Sequence, residues 1–430
     1  MEANKRINIV GAGLAGSEAA FFLLKKGYEV HLYERRPKYN DHAHETALFG
    51  ELVCSNSLKS YKLDNACGLL KEEMRKMGSI MMEAADVSSV PAGAALSVDR
   101  ELFASNITTK IKSFPNLVLH EEEVNCLSDD PTIIATGPLT DGKLMEALLE
   151  VMGEKSLSFF DASAPIVKKD SIDFTKAYYK SRFDQDDAAY INCPFNRVEY
   201  ETFVRELVGA EKAMLHEFDT HYFESCLPVE VIASRGIETL RHGPLKPFGL
   251  GTDEHPKPYA VVQLRQDTKL GDCFNLVGFQ TNLTYPEQKR VFRMIPGLEN
   301  ATFVRYGLMH RNSYINSPLV LNDDLSLKAK PNIYIAGQLS GVEGYVESAA
   351  MGILAAINIS RKLEGKPFIE VPKTTILGAL TDYILHSTGG HFQPMNANWA
   401  LIPGARKENR DDSIKTSLDS INSYWLRVND

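Results

Sequence analysis

Apolar positions along the chain follow two rhythms: continuous or alternating in short runs, and every third or fourth residue in longer ones. Arg6 to Val10 (RINIV) is a short apolar run that stops at Gly11, and Ser17 to Lys26 (SEAAFFLLKK) keeps helical spacing until Gly27. Tyr28 to Tyr33 (YEVHLY) has the alternating character of a strand and runs into Glu34. Together they predict a strand–helix–strand unit. Asn65 to Ala85 spaces Ala66, Leu69, Leu70, Met74, Met77, Ile80, Met81 and Ala84 by helical intervals, which predicts one helix capped by Asp64 or Asn65, with its methionines in the core. Pro131 to Pro138 (PTIIATGP) reads as a buried strand ending in Thr-Gly. Pro331 to Gly352 repeats the logic as strand, glycine-rich turn and a helix from about Tyr345. Tyr259 to Leu264 (YAVVQL) and Phe274 to Phe279 (FNLVGF) read as strands between these ends, and the tail after Arg406 carries no motif.

The first turn holds Gly11, Ala12, Gly13, Leu14, Ala15 and Gly16, a GxGxxG between strand and helix, with an acid 23 residues beyond its first glycine. Gly11 permits the tight turn, Gly13 lets backbone approach a pyrophosphate, and Gly16 lets helix and strand pack closely. Glu34, beside Arg35, suits a ribose hydroxyl. Thr136 and Gly137 close the second strand, and Gly337, Gln338, Gly341, Val342, Gly344 and Tyr345 form the C-terminal turn, where glycine backbone and a helix N-terminus suit phosphate or flavin oxygens. Two such turns at opposite ends predict one nucleotide domain built from both, and FAD in preference to NAD by analogy with folds that wrap an extended cofactor. The expected class is α/β: a Rossmann-like FAD-binding domain (residues 1–140 and 307–430) with an inserted α+β domain (141–306).

Composition narrows the partners. A formal charge of -9 and pI near 5.7 exclude a chain that coats nucleic acid nonspecifically and leave room for a local basic patch. The six cysteines form no CxxC pair and no metal-ligand spacing, so no metal is expected. No apolar stretch approaches the ~18 residues needed to span a bilayer, so no membrane partner and a cytoplasmic location are expected.

The segments GAGLAGSEAA, ELVCSNSL, GLLKEEMR, VPAGAALSVDR, IATGPLT, FFDASAPIV, FESCLPVE, VVQLRQ, NLVGFQTNL, MHRNSYINSP and AGQLSGVEGYVESAAMG run in order through nearly the whole chain. They closely resemble the folate- and FAD-dependent tRNA (uracil-5-)-methyltransferases, relatives of a larger flavoprotein that modifies the tRNA wobble uridine. The resemblance implies methylation of carbon 5 of a uridine in the T-loop of tRNA. The carbon would come from methylenetetrahydrofolate and the reducing equivalents from NADPH or NADH through FAD. Local departures around 38–50, at Phe195 and at 397–400 keep open a branch that methylates 23S ribosomal RNA. A small-molecule flavin oxidoreductase needs only the nucleotide turns.

Carbon 5 of uracil is a poor nucleophile until a thiolate adds to carbon 6. The resemblance maps the two required thiols onto Cys226, as that nucleophile, and Cys54, beside the flavin, as the base or as a group stabilising the carbon carried there. Cys67, Cys126, Cys193 and Cys273 are read as packing residues. The resemblance also implies that His310 stacks on the folate pterin. RNA binding requires cations. Glu287 to Arg311 carries Lys289, Arg290, Arg293, Arg305 and Arg311 against Glu287 and Glu299, and Arg235, Arg241 and Lys246 follow Cys226. Arg235, Arg241, Lys246, Arg290, Arg293 and Arg311 are therefore the candidates for an RNA groove.

Overall fold

The computed structural model describes residues 6–39, 43–153, 157–162, 164–182, 190–213, 227–307, 309–387 and 392–430. Five strands form a parallel sheet in the order β16 (Ile333–Ile335), β7 (Thr132–Ile134), β1 (Arg6–Val10), β2 (Glu29–Tyr33) and β6 (Leu117–His120). A parallel sheet covered on both faces selects unbroken apolar runs. Ile7, Ile9, Ile133, Ile333 and Ile335 are accordingly fully buried. The core around this sheet takes side chains from α1 (Leu14–Lys25), α2 (Ala66–Lys76), α3 (Ile80–Ser88), α4 (Arg100–Lys112) and α5 (Gly142–Met152). It also takes them from α10 (Ser317–Val320), α11 (Tyr345–Leu363), α12 (Ile376–His386) and α13 (Arg410–Asn429). None of the described helices is long and apolar enough to cross a membrane.

The stretch expected as one helix over 65–85 is two. Gly78 takes φ +75°, and Asn65 and Ser79 each cap a new start by accepting from the N–H groups of Cys67 and Met82. Met74, Met77 and Met81 are buried as expected. The tail is mostly one helix, α13, which buries Ile421, Tyr424 and Val428.

A second sheet is antiparallel, in the order β10 (Tyr178–Tyr179), β11 (Tyr190–Phe195), β12 (Ala260–Gln266), β13 (Cys273–Leu276), β9 (Ile166–Lys168) and β14 (Phe303–Arg305). It packs with α6 (Arg197–Gly209), α7 (Val229–Ser234), α8 (Thr239–His242) and α9 (Tyr285–Phe292) around a separate aromatic core that includes Phe195, Phe203, Phe274, Phe279 and Phe292. The strand expected over 274–279 stops at Leu276, since Gly278 turns at φ +77° against Pro244. The chain leaves the first core through β8 (Leu157–Ala162) and returns through β15 (Met309–Tyr314), which pair antiparallel as a ribbon. A small sheet, β3 (Ser57–Ser60), β5 (Ala95–Val98) and β4 (Ser89–Val90), lies beside the first core.

Two buried carboxylates hold helix starts together across the first core. Glu18 of α1 accepts from Ser79 Oγ and from the N–H groups of Ile80 and Met81. Glu73 of α2 accepts from the N–H groups of Ile376 and Leu377 at 2.8 and 2.9 Å and from Ser417 Oγ at 2.6 Å. Burial pushes the Glu73 carboxyl up from 4.5 to about 7 despite these donors. An unfolded glutamate ionises near ~4.3, so folding takes up a proton between these values. This group's contribution is then fully present below pH ~4.3 and lost as pH rises to ~7. Glu73→Gln cannot titrate. In urea unfolding, its stability relative to wild type is expected to rise by at most about 3 kcal/mol between pH 4.5 and 7.5; a constant difference over that range would contradict the assignment.

Candidate nucleotide cleft and thiol loop

The glycine turn after β1 is fixed by close approach. Gly11 takes φ +98°, and a Cβ there would lie 2.6 Å from the Ala135 carbonyl oxygen; at Gly16 it would lie 1.8 Å from the Gly11 oxygen. Gly13 differs, because a Cβ there meets nothing within 4 Å, and Gly13 caps α1 with no side-chain hydrogen bond. The start of α1 therefore keeps its N–H groups for a ligand.

These residues form one wall of a cleft of about 430 Å³, with Gly11, Gly13, Leu14 and Ala15 on one side and Thr136, Gly137, Gly337, Gln338 and Tyr345 on the others. Glu34, Arg35, Arg36, Glu51 and Val53 also line it. Five residues expected to contact a cofactor stand behind the wall. Ala12 is buried and donates its N–H to Glu34 Oε2 at 3.0 Å, and Gly16 packs the turn. Gly341 makes room for the Phe392 ring, Val342 is buried and bridges to Met395, and Gly344 lies against Glu347. Each of these five has a packing task beside whatever its backbone offers a ligand.

Glu34 is held before any ligand arrives. Its two oxygens accept from the Ala12 N–H, the Arg36 N–H and the Arg36 guanidinium. Burial works against its charge, yet Arg36 and the two N–H groups keep the carboxyl below its usual range. Arg36 also donates to Glu51 at 3.1 Å, and Glu51 accepts from Glu45, Thr46 and the Thr46 hydroxyl. Glu51 thus braces its own loop. Arg35 pairs with Asp141 at 3.3 Å and Glu123 at 3.7 Å on the cleft rim.

The thiol loop follows immediately. Cys54 is half-buried, and its N–H donates to Tyr345 Oη at 2.6 Å; the Ser55 N–H reaches the same oxygen at 3.1 Å. Tyr345 opens α11, so the C-terminal turn and the thiol loop are joined at one hydroxyl. Burial, with the Cys54 charge adding to it, pushes the Tyr345 phenol well above its usual range, so it keeps its proton to donate. Asn56 is fully buried; it donates to the carbonyls of Val98 at 3.1 Å and Gln266 at 2.8 Å and accepts from Asn275 at 3.0 Å and Arg265 at 3.2 Å. No local pattern marks Arg36, Arg100, Arg265 or Asp267 as partners of this loop, since a lone arginine in sequence reads as surface; Arg100 ends VPAGAALSVDR and Arg265 lies in VVQLRQ, the one signal that could point to them.

Cys226 lies outside the described residues. His310 and Arg311 belong to β15, where their backbones pair with Asp161 and Phe160, and their side chains are not described. Three residues past His310, the Ser313 N–H donates to the carbonyl of Pro138, a cleft residue, at 2.7 Å. Of the basic candidates, Arg241 donates to the Tyr259 carbonyl and Glu238, Arg290 pairs with Glu206 and Glu287, and Arg293 donates to the Ala301 carbonyl. These guanidinium groups have protein partners, and that of Arg290 is nearly half exposed in its surface ion pairs. Lys246 is exposed over the Phe248 ring, and Arg235 is exposed. Cys67 and Cys193 are buried, and burial pushes the Cys67 thiol up to about 11. Cys273 is half-buried. Cys126, expected to pack, is instead exposed, because it sits in the polar loop between β6 and β7.

A parallel sheet drawn from both ends of the chain, opening onto a glycine-walled cleft, defines a Rossmann-like flavoprotein of the FAD-binding class. GidA of Aquifex aeolicus in its form I crystal shares this fold, with a TM-score of 0.72 at 16% identity over 98% of this chain and 76% of that one. The family model described as glucose inhibited division protein A matches residues 6–367. A protein of Lactobacillus delbrueckii subsp. bulgaricus named methylenetetrahydrofolate–tRNA-(uracil-5-)-methyltransferase TrmFO is 54% identical over 406 residues, 93% of this chain and 92% of that protein. Its namesake in Listeria welshimeri is 51% identical, covering 99% of this chain and 100% of that protein. The chain belongs to the glucose inhibited division protein A family and, within it, to the methylenetetrahydrofolate–tRNA-(uracil-5-)-methyltransferase branch.

Gly11→Ala forces a methyl group onto the Ala135 backbone at a positive φ. The purified variant is expected to lose its bound flavin, read from visible absorbance; retention of a full complement would contradict the assigned role of this turn.

Proposed function

We propose that this chain methylates carbon 5 of a uridine in the T-loop of tRNA, taking the carbon from methylenetetrahydrofolate and electrons from NADPH or NADH through FAD. The observation that carries the reading is a cysteine loop tied by Tyr345 to the rim of a dinucleotide cleft. A small-molecule oxidoreductase gives that loop no task. The named activity of relatives at 51–54% identity favours tRNA over ribosomal RNA.

The open Cβ space at Gly13 and the unspent start of α1 fit a pyrophosphate, with Leu14 and Ala15 donating N–H groups. Glu34 and Arg35 would hold the ribose end, and Thr136, Gly137, Gly337, Gln338 and Tyr345 the remainder of FAD. When bound and reduced, FAD supplies the hydride that completes the methyl group. Cys226, as thiolate, adds to carbon 6 of uracil and turns carbon 5 into a nucleophile. Once carbon 5 has bonded to the incoming carbon, Cys54 takes the proton from carbon 5, and the electron pair left behind restores the 5,6 double bond and expels the Cys226 thiolate; alternatively Cys54 steadies the incoming carbon, in either case from a loop whose backbone Tyr345 fixes. His310 stacks on the folate pterin. The FAD-binding domain extends past the boundary of 140 expected from sequence, because α5 packs in the first core and Asp141 to Leu144 line the cleft; the insertion between β8 and β15, narrower than the expected 141–306, brings Cys226. Lys246, Arg235 and Arg311 are the cations assigned to RNA phosphate.

The test is a tRNA carrying 5-fluorouridine, which blocks loss of the carbon-5 proton. With the folate donor and reductant present, a covalent enzyme–RNA adduct is expected at Cys226 by peptide mass spectrometry, and it should vanish in Cys226→Ala. Cys54→Ala is expected to lower turnover on ordinary tRNA by at least about 100-fold. No adduct, or full turnover by either variant, would contradict the mechanism.

A further inference from the structure

Two arginines bracket Cys54. Arg100, from the start of α4, donates to the carbonyl of Leu52 at 3.1 Å, two residues before the thiol. Arg265, from β12 of the second sheet, donates to Ser55 Oγ at 2.7 Å and to Asn56 Oδ1 at 3.2 Å, the two residues after it. One carboxylate stands in this cluster: Asp267 pairs with Arg100 at 3.1 Å, and its Oδ1 also accepts from Asn275 at 3.2 Å. Asp267, Asn275 and Asn56 are buried.

The charges in this cluster do not cancel. Arg100 has Asp267, whereas the partners of Arg265 are two neutral oxygens, and among the described residues no carboxylate forms an ion pair with it. A partly buried guanidinium without an anion is costly, and the desolvation it suffers depresses its basicity while Tyr190, Asp267 and Cys54 oppose that effect. The titratable groups in electrostatic reach of these arginines are Tyr190 on β11, Asp267 after β12, Tyr345 on α11 and Cys54. Asp267 is already committed. A tyrosine ionises near ~10, above a free thiol at ~8.5. Cys54 is therefore the group best suited to supply the missing negative charge.

We propose that Arg265, with Arg100 behind it, is the counter-ion of a Cys54 thiolate. Arg265 is thus a positioning residue, through which the antiparallel lobe sets the reactivity of a thiol carried by the nucleotide-binding lobe. The inference rests on the reading that Cys54 acts as a thiolate in carbon transfer. Its geometry also fixes a direction of control. Breaking the bonds from Arg265 to Ser55 and Asn56 both frees the loop and removes the charge, while Tyr345 still holds the Cys54 N–H.

The experiment is alkylation of the FAD-loaded protein by iodoacetamide between pH 5.5 and 10, with the flavin oxidised and each thiol followed by peptide mass spectrometry. Exposed Cys126 serves as the reference thiol in the same chain. Cys54 is expected to react with a midpoint at least about one pH unit below that of Cys126. Arg265→Gln should raise that midpoint by about one unit or more, and Arg265→Lys, which keeps the charge, should restore most of the difference. A wild-type midpoint equal to that of Cys126, or an unchanged midpoint in Arg265→Gln with its fold intact by circular dichroism, would overturn the inference. Should Arg265→Gln fail to fold, the wild-type midpoint and the lysine variant decide alone. Methylation by Cys54→Ala separates the two readings: a fully active Cys54→Ala beside a lowered Cys54 midpoint would remove the catalytic role and leave the ion pair standing.

Discussion

The site depends on how closely three backbone elements approach one another. Gly11 lies against the Ala135 carbonyl, Gly337 against the Ala15 side chain, and Gly352 of α11 against the Ala15 backbone, where a Cβ would fall 2.1 Å from its oxygen. Any side chain at these points would push β1, α1 and α11 apart. With the glycines in place, α11 begins at the edge of the cleft that α1 caps, and Tyr345 reaches across to the N–H of Cys54. Nucleotide binding and thiol positioning are therefore one packing problem, solved by residues with no side chain.

The second constraint is polar. Asn56 links the thiol loop to β5 through the Val98 carbonyl and to the antiparallel sheet through Gln266, Arg265 and Asn275. A fully satisfied buried amide of this kind specifies one arrangement, because each alternative leaves donors or acceptors without partners. The two cores thus meet through hydrogen bonds whose centre is two residues from Cys54. Reactivity at the thiol and the relative placement of the two sheets are coupled by the same atoms.

Much of this was legible in the sequence where a residue type has a backbone reason to be present. Gly11, Gly13 and Gly16 announced the first turn, and the strand and helix around Tyr345 announced the second. The reading failed where one pattern has two physical sources. Helical spacing runs unbroken through Met77 and Ile80, so the stop at Gly78 is visible only as a left-handed backbone. Gly341 and Gly344, expected at a ligand, also have a packing reason that the sequence does not show, room for Phe392 and Glu347. Charge in sequence carries no record of its partners: Arg241, Arg290 and Arg293 read as cations for RNA and also bond protein oxygens. Arg265 drew no attention and stands beside the thiol loop. Residue type locates the nucleotide cleft; only the fold locates the charges around Cys54.

The most direct test of the proposed activity is transfer of labelled carbon. The FAD-loaded protein would be incubated with radiolabelled methylenetetrahydrofolate, NADPH and tRNA lacking 5-methyluridine, with 23S ribosomal RNA in parallel, and the nucleosides separated after digestion. Label in 5-methyluridine from tRNA is the predicted result. Label confined to ribosomal RNA would move the substrate while keeping the chemistry, and label in neither from a folded, flavin-loaded protein would contradict carbon transfer altogether.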